Sequence, residues 1–133
     1  MGKYERALKD IYSIFDSDAW KIFAIKTFPE NYKGDDSEYI VLSVAFAKPG
    51  LNRESSSGML FVEIYTEANK GPLRGLEIAS MLDSILSEKS VLADLKLNTQ
   101  FQRGSVVPMG VDKENPSLFR HSYSIPFSHF GAF

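Results

Sequence analysis

Apolar residues recur at intervals of three and four in two stretches of the chain, and this spacing predicts two amphipathic helices. The first covers residues 3–15, where charged residues including Asp10 fall largely on the opposite side. The second begins at Pro72, whose fixed φ and missing N–H suit the first turn of a helix. Each helix should pack one apolar side against a sheet. The apolar positions are Tyr4, Ala7, Leu8, Ile11 and Phe15 in the first helix, and Leu73, Leu76, Ala79, Leu82 and Leu86 in the second.

Alternating or continuously apolar runs predict the strands. Residues 59–66 and 39–47 are apolar on both sides, so we expect them in the middle of the sheet. Residues 20–28 predict a first strand that Pro29 closes, and residues 95–102 predict a half-exposed strand that residues 106–108 continue after a break.

The clearest alternation covers residues 119–127, with His121 on the apolar side. Pro126 cannot donate a hydrogen bond, so this end of the strand is predicted to lie at a sheet edge. The order is helix, three strands, helix, two strands. It predicts a single α+β domain over residues 1–133, with a mixed or antiparallel sheet of about five strands and both helices packed on one face.

Composition narrows the classes of function. The chain has 133 residues, 44% hydrophobic content and a net charge of −2, so one domain with a sizeable core is expected. Nothing in this charge favours nucleic acid or anionic lipid as a partner. The absence of cysteine excludes disulfides, thiol catalysis and thiolate metal sites. No apolar run reaches the length of a transmembrane helix, so we expect no membrane contact and folding in a cytoplasm.

The sequence contains no motif that requires catalysis, a cofactor or a metal. His121 and His129 lie outside any H-E-x-x-H pattern, and the acidic residues 35–38 lack the spacing of a calcium loop. The loop from Lys70 to Gly75 is not a phosphate-binding loop, because Pro72 has no N–H and no lysine follows Gly75. We therefore expect a protein that is not an enzyme, although serine, histidine and aspartate are frequent enough to leave a triad open.

The arrangement resembles the tail terminator (tail completion) proteins of long, non-contractile-tailed bacteriophages. Three stretches carry the resemblance. They are the N-terminal helix Lys3–Phe15, the unit FVEIYTEANKG followed by LRGLEIASMLDSIL, and the late strand pair that ends in HSYSIPFSHF. Such proteins are small, cysteine-poor α+β proteins without catalytic motifs. The resemblance covers nearly the whole chain in order and length.

The resemblance implies a structural role at the head-proximal end of the virion tail. Several copies, commonly six, form a ring that caps the tail tube, ends its polymerisation and joins it to the head-side connector protein, while DNA passes through the channel without specific binding. A ring of identical subunits needs contacts that close. We expect these contacts, with other copies and with the tail tube protein, to involve Arg53, Glu54, Lys70, Arg74, Phe130 and Phe133.

Two alternatives stay open. The first is another head-tail joining protein or a tail tube protein. The second belongs to a different class, a small-molecule-binding or enzymatic α+β domain with its pocket between sheet and helices.

Overall fold

One mixed sheet organises the chain in the computed structural model, which describes residues 2–29, 38–49, 56–87, 90–91, 99–113 and 116–129. The helices are α1 (Lys3–Phe15), α2 (Asp18–Lys21) and α3 (Leu73–Leu86), with a short 3-10 helix at Ala68–Lys70. The strands are β1 (Thr27–Phe28), β2 (Tyr39–Pro49), β3 (Ser56–Glu67), β4 (Ser90–Val91), β5 (Thr99–Phe101), β6 (Ser105–Val111) and β7 (Leu118–His129). None of the helices in these ranges is long and apolar enough to cross a membrane.

The strand order is β1-β2-β3-β7-β5-β4, with β6 also paired to β7. β1 runs parallel to β2, and the other pairs are antiparallel. The predicted α+β class with a mixed sheet is confirmed. The described residues form seven strands rather than about five. One reason is that the chain breaks at residues 102–104, so residues 105–111 form a strand of their own.

The predicted first strand over residues 20–28 is wrong at its start, because Trp20 belongs to helix α2. The Trp20 ring is buried edge-on against Phe15 and Phe23, and its Nε1–H donates to Thr27 Oγ1 at 2.8 Å. A helical turn brings this ring under the end of α1, and the chain then reverses at Ala24, which has a φ of 57°. Only Thr27–Phe28 pairs with the sheet.

The prediction that Pro126 marks a sheet edge is also wrong, since β7 lies between β3 on one side and β5 and β6 on the other. In an antiparallel strand the N–H and C=O of one residue point toward the same neighbour. The Pro126 carbonyl accepts from Gln102 N–H at 3.0 Å. The missing N–H of Pro126 therefore faces the break between β5 and β6, where no ladder bond is lost.

The helices α1 and α3 cover one face of the sheet, as predicted, and the core lies between them and alternate residues of β2, β3 and β7. The buried sides of α1 and α3 differ in part from the predicted apolar sides. Tyr4 is 47% exposed, and α3 turns Leu73 and Leu76 outward and buries Gly75. A Cβ at Gly75 would collide with the imidazole of His121, so glycine lets this turn of α3 approach β7 closely. The fully buried members of the core include Ala7, Ile11, Ile40, Leu60, Val62, Ile64, Ile78, Leu82, Leu86 and Ile125.

Candidate interaction surface

The second face of the sheet carries no helix in the described part of the chain. Because side chains alternate along a strand, the residues between the core positions form this face. We call it the open face. It comprises positions 41, 43 and 45 of β2, positions 59, 61, 63 and 65 of β3, even positions 120 to 128 of β7, and positions 105 and 107 of β6. Most of these side chains are half-buried by their neighbours, and none belongs to the core cluster.

A polar network occupies one end of the open face. Arg120 Nε lies 3.2 Å from Glu63 Oε2, and Ser122 Oγ donates to Glu63 Oε1 at 3.2 Å. Tyr65 is the cross-strand neighbour of Arg120, and its ring stacks on Tyr39 with the centroids 4.7 Å apart. Burial raises the pKa of Tyr65, an effect that the positive charge of Arg120 partly offsets. These contacts hold both a charged pair and an aromatic pair in fixed positions on the open face.

The middle of the open face combines one large ring with small hydroxyl side chains. Phe61 lies between Ser43 on β2 and Ser124 on β7. Ser124 Oγ in turn lies 3.3 Å from Ser105 Oγ on β6. Phe61 is half-buried, and the serine hydroxyl groups beside it can donate or accept hydrogen bonds.

Strand β6 borders the open face and exposes three large apolar side chains. Val107, Met109 and Val111 are 54%, 51% and 52% exposed. No second strand pairs with β6 in the described ranges, and its ladder with β7 shifts register between Pro108 and Gly110. A proline and a bulge both hinder the addition of a further strand. Because of the register shift, Val107 is paired with Ser122 of the open face and Val111 with Phe119 of the other face. The exposed side chains of β6 are therefore suited to contact through side chains rather than through a backbone ladder.

Two clefts lie near the two edges of the sheet. A cleft of about 540 Å³ adjoins β6 and is lined by Tyr65, Met109, Val111, Asp112, Lys113 and Arg120. A cleft of about 340 Å³ lies between α1 and the β1 edge. Polar groups of this second cleft are already paired, since Asp16 Oδ1 lies 3.1 Å from Lys21 Nζ and Thr27 accepts from Trp20. It is lined by Tyr12, Phe15, Asp16, Thr27, Phe28, Pro29 and Leu42.

Arg74 is the predicted contact residue whose side chain the structure describes. Its Nε and Nη2 donate to the two carboxylate oxygens of Glu38 at 2.7 and 3.1 Å, and Nη1 donates to Glu77 Oε2 at 3.1 Å. The bonds to Glu38, the larger influence, and to Glu77 raise the pKa of Arg74 above its ordinary value. A bidentate pair of this kind fixes geometry as well as charge. Arg74 therefore ties α3 to the residue that precedes β2.

The other predicted contact residues are placed only in part. Lys70 ends the 3-10 helix, and its side chain lies outside the description. Arg53, Glu54, Phe130 and Phe133 lie outside the described residues altogether. The sequence did not reveal the pair of Glu63 and Arg120, because 56 residues of chain and the register of β3 against β7 separate them. A signal was nevertheless present, since Glu63 is the one charged residue within the apolar run 59–66.

Comparison with known proteins gives a likeness of fold. No family model and no curated protein matches the chain. A solved structure whose name describes no function shares 15% sequence identity, with a TM-score of 0.58, over 95% of this chain and 89% of the other. A chain from the virion of a native gene transfer agent (GTA) particle shares 13% identity, with a TM-score of 0.58, over 90% of each chain. At these identities the likeness shows a shared fold.

Proposed function

We propose that this chain is a structural protein of a phage-like virion and acts there as a tail terminator. Copies of the chain form a ring at the head-proximal end of the tail, cap the tail tube, end its polymerisation and join it to the head-side connector. The supporting observation is the fold that the chain shares, over 90% of both lengths, with a component of a gene transfer agent virion. The sequence resemblance to tail terminators points to the same kind of particle.

The exposed surfaces of the subunit support assembly into a ring. In a ring, each subunit presents one surface to the neighbour before it and a different surface to the neighbour after it. Exposed apolar side chains lie at two separate places on the subunit. Val107, Met109 and Val111 belong to β6, which pairs with β7, and Ile22, 79% exposed, precedes β1 at one end of the strand order. Two different exposed surfaces on one subunit can form the head-to-tail contacts that a ring requires.

Six residues are proposed to contribute further contacts, with neighbouring copies or with the tail tube and connector proteins: Arg53, Glu54, Lys70, Arg74, Phe130 and Phe133. For Arg74 a contact role must be separated from its role within the subunit, because Arg74→Ala would leave Glu38 without its bidentate partner. Glu38→Gln serves as the matched control. It weakens the same internal pair and leaves the arginine in place.

The first experiment measures the mass of the purified protein by light scattering over a wide concentration range, with negative-stain imaging of any large species. We expect a closed ring with a central hole and a mass of about six subunits of 14.9 kDa each, formed in solution or on added tail tubes. A tail tube protein would instead grow into long tubes. A protein that stays monomeric and does not bind polymerised tubes would overturn the proposal.

The second experiment tests the contacts. Met109→Ser and Arg74→Ala should reduce ring formation and tube capping, whereas Glu38→Gln should leave both unchanged if Arg74 acts between subunits. Melting temperatures of all variants are measured alongside, so that loss of assembly is distinguished from loss of folding. Unaltered assembly in Arg74→Ala, together with single alanine changes at Arg53, Glu54, Lys70, Phe130 and Phe133, would remove these six residues from the proposed interface.

A further inference from the structure

Three polar side chains are buried together where helix α1 meets the end of β7. Asp10 of α1 and Thr99 of β5 are 0% exposed, and His129 of β7 is 1% exposed. Thr99 Oγ1 donates to Asp10 Oδ2 at 2.6 Å and lies 3.0 Å from His129 Nδ1. Asp10 Oδ2 lies 3.4 Å from the same nitrogen. The sequence pattern placed Asp10 on the exposed side of α1, and this is wrong, because the cluster gives its carboxylate buried partners.

The directions of these hydrogen bonds fix where the protons are. A threonine hydroxyl has one hydrogen, and Thr99 gives it to the carboxylate of Asp10. The hydroxyl oxygen can therefore only accept from His129, so Nδ1 of the neutral ring carries its hydrogen. The chain of donors runs from imidazole to hydroxyl to carboxylate. His129 Nε2 has no hydrogen-bond partner within the described ranges, so a proton added there would lack an acceptor in this part of the structure.

The surroundings favour the neutral ring. Burial is the largest influence and lowers the pKa of His129, the charge of Asp10 partly offsets this, and Arg6 on α1 lowers it further. Burial raises the pKa of Asp10, an effect that the hydrogen bond from Thr99 and, next, the proximity of His129 partly offset. From the strands, the neighbours of His129 are the uncharged Ser56 of β3 and Thr99 of β5. Proton uptake by His129 would place an imidazolium in this buried site.

We propose that the cluster of Asp10, Thr99 and His129 is a proton-sensitive latch. It holds α1 on the sheet while the His129 ring is neutral, and it releases α1 when that ring takes up a proton from solvent. Other contacts also attach α1 to the sheet, among them the core residues Ala7, Ile11 and Phe15 and the edge-on packing of Tyr4 against Phe46 of β2. Helix α3 is held by separate contacts, among them the bond from Tyr123 to Asp83 at 2.6 Å. Release therefore affects α1 before α3. This inference does not depend on the proposed function.

The direction of the response follows from the two states. When α1 is released, His129 is solvated and its pKa returns to the ordinary value of 6.5, whereas the closed state has a lower pKa. At pH values between these two pKa values, the release of α1 is accompanied by the uptake of one proton. The equilibrium constant for opening therefore rises as pH falls below 6.5, by at most about tenfold per pH unit. At lower pH the closed cluster itself binds a proton at Asp10, whose pKa is raised, and the response flattens.

Amide hydrogen exchange of the full chain tests the latch, compared at pH about 7.5 and about 5.5 after correction for intrinsic exchange rates. We expect protection of α1 to fall at the lower pH while α3 stays protected. His129→Asn retains an N–H donor near the position of Nδ1 and does not titrate, so its α1 protection should not change with pH. His121→Asn removes the other buried imidazole and should leave the response of α1 in place. Equal loss of protection in His129→Asn, or simultaneous loss in α1 and α3, would overturn the latch.

A second measurement applies if His129→Asn does not fold. The His129 ring of the wild-type chain is followed by NMR through the same pH range, together with α1 protection. The ring titration and the opening of α1 should have one midpoint, below the ordinary value of 6.5. A His129 ring that becomes protonated while α1 remains fully protected would refute the proposal.

Discussion

The two faces of the sheet are formed by alternate residues of the same strands, and they differ in what they contact. On β3, Leu60, Val62 and Ile64 are fully buried beneath the helices. Their neighbours Phe61, Glu63 and Tyr65 lie on the open face and are half-buried. Burial of large apolar side chains is the main source of stability. The covered face therefore contributes most of the free energy of folding, whereas the open face carries no helix in the described part of the chain.

The largest expected effect compares a truncation on the covered face with a truncation on the open face. Ile64→Ala should lower the free energy of unfolding by about 2–5 kcal/mol, because the surrounding side chains cannot fill the cavity. Val107→Ala, at a position that is 54% exposed, should change it by at most about 0.5 kcal/mol. Urea unfolding followed by circular dichroism measures both values. Equal losses in the two variants would show that the faces do not differ in this way.

A smaller effect tests how closely α3 approaches the covered face. Gly75→Ala should destabilise the protein by about 1–3 kcal/mol, because the added methyl group meets the ring of His121. Alanine is the better helix former by about 1 kcal/mol, so the helix alone would predict the opposite sign. Ser80→Ala, at an exposed position of the same helix, is the control and should be close to neutral. A stabilised Gly75→Ala variant would mean that α3 has room to move away from β7.

The smallest effect concerns the polar network of the open face. A double-mutant cycle with Glu63→Gln and Arg120→Gln should give a coupling energy of about 0.2–1 kcal/mol, because both side chains are partly exposed to water. The same variants can be used in the assembly experiment. A coupling energy well above this range would show that the open face also contributes to folding, and the division between the two faces would be less sharp.

The sequence predicted much of the covered face, because its signal is local. The spacing of Ala7, Ile11 and Phe15, and the alternation around Tyr123, can be read without knowing which strands are neighbours. Strand order is different, since it depends on contacts between distant parts of the chain. The sequence predicts a sheet edge at Pro126, because a strand residue without an N–H usually lies at an edge. The break between β5 and β6 supplies the same freedom at the centre of the sheet.

The candidate surfaces were less predictable for the same reason. Glu63 and Arg120 become partners only through the register of β3 on β7. The sequence pattern alone predicts that Asp10 lies on the exposed side of α1. In the structure it is buried against Thr99, 89 residues further along the chain, and against His129. Trp20 lies in an apolar run that resembles a strand, yet its ring is better buried by a helical turn. In each case the environment of the side chain depends on contacts in the folded structure that the local sequence pattern does not specify.

The central position of β7 has a consequence for the order in which the protein can be made. Among the described strands it is the last to be synthesised, yet it joins β3 to β5 and β6. Until residues 118–129 have left the ribosome, β3, β5 and β6 all lack the strand with which they pair. Contacts between residues so far apart in sequence form slowly. Before β7 is available, β3 therefore has an unpaired edge toward it, and β6 has no ladder partner among the described strands.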